Sequence, residues 1–205
     1  MEKETARIEA FSDGVFAIAT TLLILEIKVP SPGTADLGRQ LLRQWPSYVA
    51  YVISFAFIGI MWINHHRLFT HIKRSDHLLM VFNLLLLLGI TWVPYPTAVL
   101  AQHWGYSGQK AAALLYQGTY FVIAVFFNIL WRHANRAHLF GQDFDSSATE
   151  RISKRYAVGL ISYLICIALV WVSVPASLLG NVALAVFFAI PPKFVIGRGT
   201  GEGNG

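Results

Sequence analysis

The first apolar stretch of the chain, RIEAFSDGVFAIATTLLILEI, holds more chemistry than a lipid-facing anchor needs. Arg7, Glu9, Ser12, Asp13, Thr20, Thr21 and Glu26 all lie in or beside it. Ionisable groups at such depth face protein or water, because hydrocarbon solvates charge poorly. A second polar group closes the second apolar stretch, WINHHRLF, with Asn64, His65 and His66, and His71 and His77 follow. Three chemistries use such residues. A carboxylate paired with an imidazole or an amide is less costly at a membrane edge than either group alone, and the pairing pins two helices together. A metal site needs a ligand spacing that the carboxylates near these histidines do not form, and the single cysteine, Cys166, lies far away in sequence. A triad of Ser12, Asp13 and His65 needs convergent side chains, whereas neighbours on a helix point about 100° apart. Pairing between helices is the reading these residues favour, and no metal, cofactor or catalytic role is expected.

The elements that must position them are set by composition. The chain has 205 residues, 55% of them apolar and 13% charged, about half the usual soluble share of charge. Its mean hydropathy is +0.52. The formal charge is +5, but the basic residues lie singly between apolar runs, which argues against nucleic-acid binding. A bilayer core takes about 20 apolar residues as helix. Six stretches meet or approach that length: Ile8 to Ile27, Trp45 to Leu68 after an amphipathic DLGRQLLRQW, His77 to Leu100, Ala111 to Trp131, Arg155 to Val174, and a short one from Ala176 to Pro191. Glu2, Glu4, Glu9 and Asp13 are foreign to a secretory leader, so the first stretch reads as a mature helix. Pro94 and Pro96 predict a kink or an end in the third span. Trp92, Tyr95, Trp104, Tyr106, Trp131 and Trp171 read as interfacial aromatics. Ser146 or Ser147 with Glu150 offers a capping box for the fifth helix.

Alternating the six spans puts twelve Lys and Arg residues on one side and four on the other, which predicts cytoplasmic termini. The fold class expected is an all-α, multi-pass membrane protein of six transmembrane helices over residues 1–196. The Gly-alternating residues 197–205 form a flexible tail rather than a phosphate loop or filter.

Advancing each residue by about 100° places Ile18, Thr21, Leu22 and Leu25 within an arc of about 100°, with Gly14 in line one turn earlier. This apolar stripe carries one hydroxyl and is suited to lining something. Asp13 lies about 140° from Ile18 and cannot share that face. Its expected task is to hold the first helix to the end of the second, where Asn64, His65 and His66 reach the depth of Ser12 and Asp13.

These residues resemble a known family, the bacterial members of the transmembrane protein 175 family of potassium channels. The resemblance rests on Arg7, Phe11, Ser12 and Asp13, spaced as RxxxFSD, within FSDGVFAIATTLLILEI, and on WINHHRLF. It implies a homotetramer in a bacterial plasma membrane whose first helices line a central pore, with potassium as the permeant ion. The hydrophobic constriction would fall at Ile18, further rings at Leu22 and Leu25, and a selectivity hydroxyl layer at Thr21. Arg7, Ser12 and Asp13 would form a packing and gating network. The stripe isolated by helix geometry coincides with the implied pore residues.

No TVGYG-like filter is present in the sequence, so selectivity would come from a narrow apolar ring that strips water, compensated by Thr21 hydroxyls and carbonyl dipoles. The preference for potassium over sodium is expected to be weak to moderate. The alternative is a proton-coupled secondary transporter using Asp13 and the second-helix histidines.

Overall fold

The computed structural model describes residues 2–32, 36–141 and 146–190, and the chain there is helical nearly throughout. Helix α1, Glu2–Leu22, tightens into one 3₁₀ turn over Leu23–Glu26. The amphipathic segment forms α2, Leu37–Arg43, and the second span forms α3, Trp45–His71, with Pro46 in its first turn, where a missing N–H costs nothing. The third span is α4, His77–Trp92, followed by α5, Pro94–Gln102. Then come α6, Gln109–Arg136, α7, Ser146–Val172, and α8, Val174–Ala189. Five spans are long and apolar enough to cross a membrane, and the sixteen-residue α8 is shorter.

The proline pair does not end the third span. Val93 keeps helical dihedrals, and the Thr97 amide donates to the Val93 carbonyl at 3.2 Å, so the helix restarts at once and runs to Gln102. Pro94 falls in the first turn of the restarted helix, where no amide is needed. Trp131 departs from its interfacial expectation. It is 2% exposed and donates Nε1 to Ser153 Oγ at 2.9 Å, because α6 is the central post of the bundle. Tyr106 and Trp171 remain exposed. The side chains of the Ser146 cap, Pro191 and the whole 197–205 tail lie outside the described residues; Glu150 pairs with Lys154 at 2.7 Å.

Helix α6 packs on α4, α5, α7 and α8, burying Ala113, Tyr116, Tyr120, Ile123, Leu130 and Ala134 at helical spacing. The approach of α4 is close: a Cβ at Gly89 would stand 2.8 Å from Ile123 Cγ1. Buried polar groups join helices where no water is available to solvate them. Ser54 on α3 bonds Thr97 on α5 at 2.9 Å and Tyr116 on α6 at 3.2 Å. Gln117 on α6 donates to Ser177 Oγ on α8 at 2.6 Å, and that hydroxyl donates to the Cys166 carbonyl on α7 at 2.7 Å. The α7 to α8 link is a single residue, Ser173, whose hydroxyl caps α8 by accepting from the Ala176 amide at 3.3 Å.

The α3–α4 and α6–α7 connections meet at one end of the bundle. Ile72 pairs with Phe140, the Lys73 amide donates to the Leu139 carbonyl at 2.9 Å, and Arg74 Nη2 donates to the His138 carbonyl at 2.6 Å. Asp76 ties the same end. It accepts from the Leu79 amide at 2.7 Å as the cap of α4 and from His133 Nε2 on α6 at 2.9 Å. Burial alone would raise the Asp76 carboxyl; the Leu79 amide and then His133 outweigh it and hold the group below its ordinary range.

Candidate functional site

Helix α1 lies against α3 and α4 with one face and leaves the other uncovered. Ser12, Phe16, Ala19 and Leu23, at spacings of four, three and four, are all 2% exposed or less. On the opposite side Ile18 is 60% exposed and Leu25 64%, with Thr21 and Leu22 between them also exposed. Leu25 falls in the 3₁₀ turn, where a residue advances by about 120°, yet it stays on the open side. Gly14, Phe11 and Arg7 continue that side toward the N-terminus. Thr21 Oγ1 donates to the Ile18 carbonyl at 2.9 Å, so its hydrogen is held by its own helix and its lone pairs are left to accept from outside.

The covered face is fastened by two separate sets of polar contacts. In the first, Ser12 Oγ donates to the Ile8 carbonyl at 2.8 Å and accepts from Asn83 Nδ2 on α4 at 2.9 Å. Asn83 Oδ1 then faces His65 Nε2 on α3 at 2.9 Å, which assigns the ring proton to Nε2. All three residues are at most 2% exposed, and the His65 ring lies between Phe16 at 5.4 Å and Phe69 at 4.4 Å. His65 Nδ1 is buried with no hydrogen-bond partner. In the second set, Asp13 Oδ1 accepts from Trp62 Nε1 at 2.8 Å, and Glu9 Oε1 meets His66 Nδ1 at 2.6 Å. The Trp62 and His66 rings stack one turn apart on α3.

Ser12, Asp13, His65 and His66 thus all stand at the contacts of α1, though Asp13 and His65 belong to different sets. Asn64 turns the other way, donating to the Ile60 carbonyl at 2.9 Å and toward the Phe188 carbonyl of α8 at 3.4 Å. A helix cannot aim three consecutive residues at one neighbour. Arg7 and Phe11 lie on the open side, three and two turns before Ile18, and make no side-chain hydrogen bond among the described residues. Asn83, Trp62 and Glu9 are the partners that sequence reasoning did not assign. Asn83 had a signal: it is the one polar residue in the run LLMVFNLLLLL, where an amide must be paired. Among the described residues no cluster of three or more metal-ligating side chains occurs.

The fold and this half-uncovered polar helix define an integral, multi-span α-helical membrane protein. Residues 7–94 match the family model described as the endosomal/lysosomal potassium channel TMEM175. The chain is 47% identical to a potassium channel of Chamaesiphon minutus over 193 residues, covering 92% of this chain and 95% of that one. It is 45% identical to a potassium channel of Streptomyces collinus over 188 residues, covering 90% and 91%. It superimposes with a TM-score of 0.81 and 45% identity on the crystal structure of a lysosomal potassium-selective channel TMEM175 homolog from Chamaesiphon minutus, covering 91% of this chain and 97% of that one. The chain belongs to the TMEM175 family. Its relatives are channels, a class that carries out no chemical conversion.

Proposed function

We propose that the chain forms a potassium channel in which several copies bring their first helices together around a central axis. The observation that carries this reading is the open face of α1. One side of α1 packs on α3 and α4 while the other presents Ile18, Thr21, Leu22 and Leu25 outward. One helix cannot enclose a pore, so the reading requires self-association; four copies follow from the family resemblance. Exposed small residues, Ala10, Gly14 and Ala17, flank the stripe and would let neighbouring copies of α1 approach closely.

Rings of Ile18 and Leu22 form a constriction that expels water when narrow and admits ions when α1 rotates or dilates. The same ring selects. An ion entering it sheds part of its hydration, which potassium loses more cheaply than sodium, and Thr21 oxygens supply partial compensation. Their protons are committed to the Ile18 carbonyls, so they meet a cation as acceptors. Ser12 and Asp13 fix the rotation of α1 and touch no ion. A proton-coupled carrier would need Asp13 and the α3 histidines to converge; each is committed to a different partner. The Lys and Arg asymmetry supports cytoplasmic termini in a bacterial plasma membrane.

The experiment is potassium flux from proteoliposomes. A passive current that reverses at the potassium equilibrium potential is the expected result. Saturable uptake coupled to a proton gradient would replace the channel with the carrier.

A further inference from the structure

The end of the bundle that gathers the α3–α4 and α6–α7 connections also contains two arginines that share a cleft with no carboxylate among the described residues. Arg67, in the last turns of α3, buries its Nη1 with no hydrogen-bond partner. Arg155, on α7, spends its Nη2 on the Phe187 carbonyl and on the Ile190 carbonyl at 2.7 Å, with its guanidinium 4.6 Å from the centre of the Phe187 ring. Both guanidiniums line one cleft with Leu68, Trp131, Ile152 and Phe188. No carboxylate lines that cleft among the described residues. The described acid nearest in sequence to Arg155, Glu150, is exposed and engaged by Lys154.

Such a pair is unfavourable as it stands. A buried guanidinium N–H without an acceptor loses its hydration for nothing, and like charges in a medium of low dielectric add to the cost. One tetrahedral anion removes both penalties, since each guanidinium offers a planar fork that matches phosphate oxygens. The cleft volume of about 60 Å³ holds several waters and hence one phosphate group. Asn64, His71 and Tyr156 add polar groups to the lining, and Val158, Ile161 and Ile165 continue outward along α7 as an exposed apolar strip. A soluble anion has no use for that strip, and an acyl chain does.

We propose that Arg67 and Arg155 bind the phosphate of an anionic phospholipid in the cleft between α3, α7 and the end of α8, with its acyl chain along the outer face of α7. Basic clefts between spans at a membrane surface suit such head groups. The site is distinct from the α1 stripe, and its occupancy does not depend on what crosses the pore.

The test is native mass spectrometry of the assembled protein released from nanodiscs of phosphatidylcholine with and without phosphatidylglycerol. Wild type is expected to retain phosphatidylglycerol. Arg67→Gln is expected to lose about tenfold in retention, the equivalent of one charge-assisted contact, while Arg132→Gln, an exposed cation at the same end, retains it. Arg67→Lys, which keeps the charge and removes the fork, is expected to fall between them and serves where the glutamine variant does not assemble. Equal retention in all variants, or equal loss from Arg132→Gln, would overturn the site. Inorganic phosphate added to phosphatidylcholine nanodiscs separates the two sources. Thermal protection that depends on Arg67 but needs no anionic lipid would overturn the lipid assignment, and no protection supports it.

Discussion

The side-chain amide of Asn83 on α4 donates to the hydroxyl of Ser12 on α1 across 2.9 Å, inside a contact where neither residue is more than 2% exposed. Its carbonyl receives His65, so one amide ties three helices together, and it holds the face of α1 that must turn inward if the stripe is to turn outward. Asn83→Leu removes the donor to Ser12 Oγ, which keeps its bond to the Ile8 carbonyl, and leaves His65 Nε2 without its acceptor. The expected cost is about 1–3 kcal/mol, read as a lower unfolding temperature in detergent, with the potassium to sodium permeability ratio of the surviving oligomer unchanged. An altered ratio at unaltered stability would place Asn83 in the ion path instead.

The Asp13 carboxyl accepts from Trp62 and faces away from the open side of α1. Asp13→Ala is therefore expected to reduce the yield of assembled oligomer on gel filtration more than it changes selectivity. An intact oligomer with a new ion preference would contradict that placement.

Replacing the constriction tests the gate. Ile18→Asn puts a group that welcomes water where an apolar ring is proposed, so single-channel conductance should rise and discrimination against sodium should fall. Liposome flux indistinguishable from wild type would mean that the pore does not pass Ile18.

Acid sensitivity follows from Asp76. Its carboxyl is held below the ordinary range in the folded chain, so the stability it contributes is present above the unfolded carboxylate pKa and is lost as pH falls through the lower folded value. Asp76→Ala removes the cap of α4 and the acceptor for His133, at a cost of about 1 kcal/mol near neutral pH. The difference in unfolding temperature between wild type and variant should shrink on acidification below the carboxylate range. A constant difference across the titration would show that the carboxylate charge contributes nothing.

Much of this arrangement was legible because membrane helices obey simple periodicities. The stripe of Ile18, Thr21, Leu22 and Leu25 needed only the helical repeat, and the spans needed only length and hydropathy. The partners of α1 were harder. Sequence separation gave Ser12 and Asp13 a common destination on α3, whereas the helix turns them by about 100°, sending one to Asn83 and the other to Trp62. Asn64, His65 and His66 were split for the same reason. The immediate restart of the helix after Val93 depended on Pro94 falling in a first turn, which no count of prolines reveals. Trp131 looked interfacial because its depth depends on α6 being central, a property of the packed bundle.

Exposure within one chain is the same for a pore wall and for a lipid-facing wall: Ile18 on α1 and Ile161 on α7 are each 60% exposed. The most direct measurement is block of potassium flux by a charged, water-soluble thiol reagent on single-cysteine variants in a Cys166→Ser background, Cys166 being the only native cysteine. Ile18→Cys is expected to be blocked and Ile161→Cys is not. Flux through Ile18→Cys that the reagent leaves untouched, with the thiol labelled only by a lipid-soluble probe, would contradict the α1-lined pore.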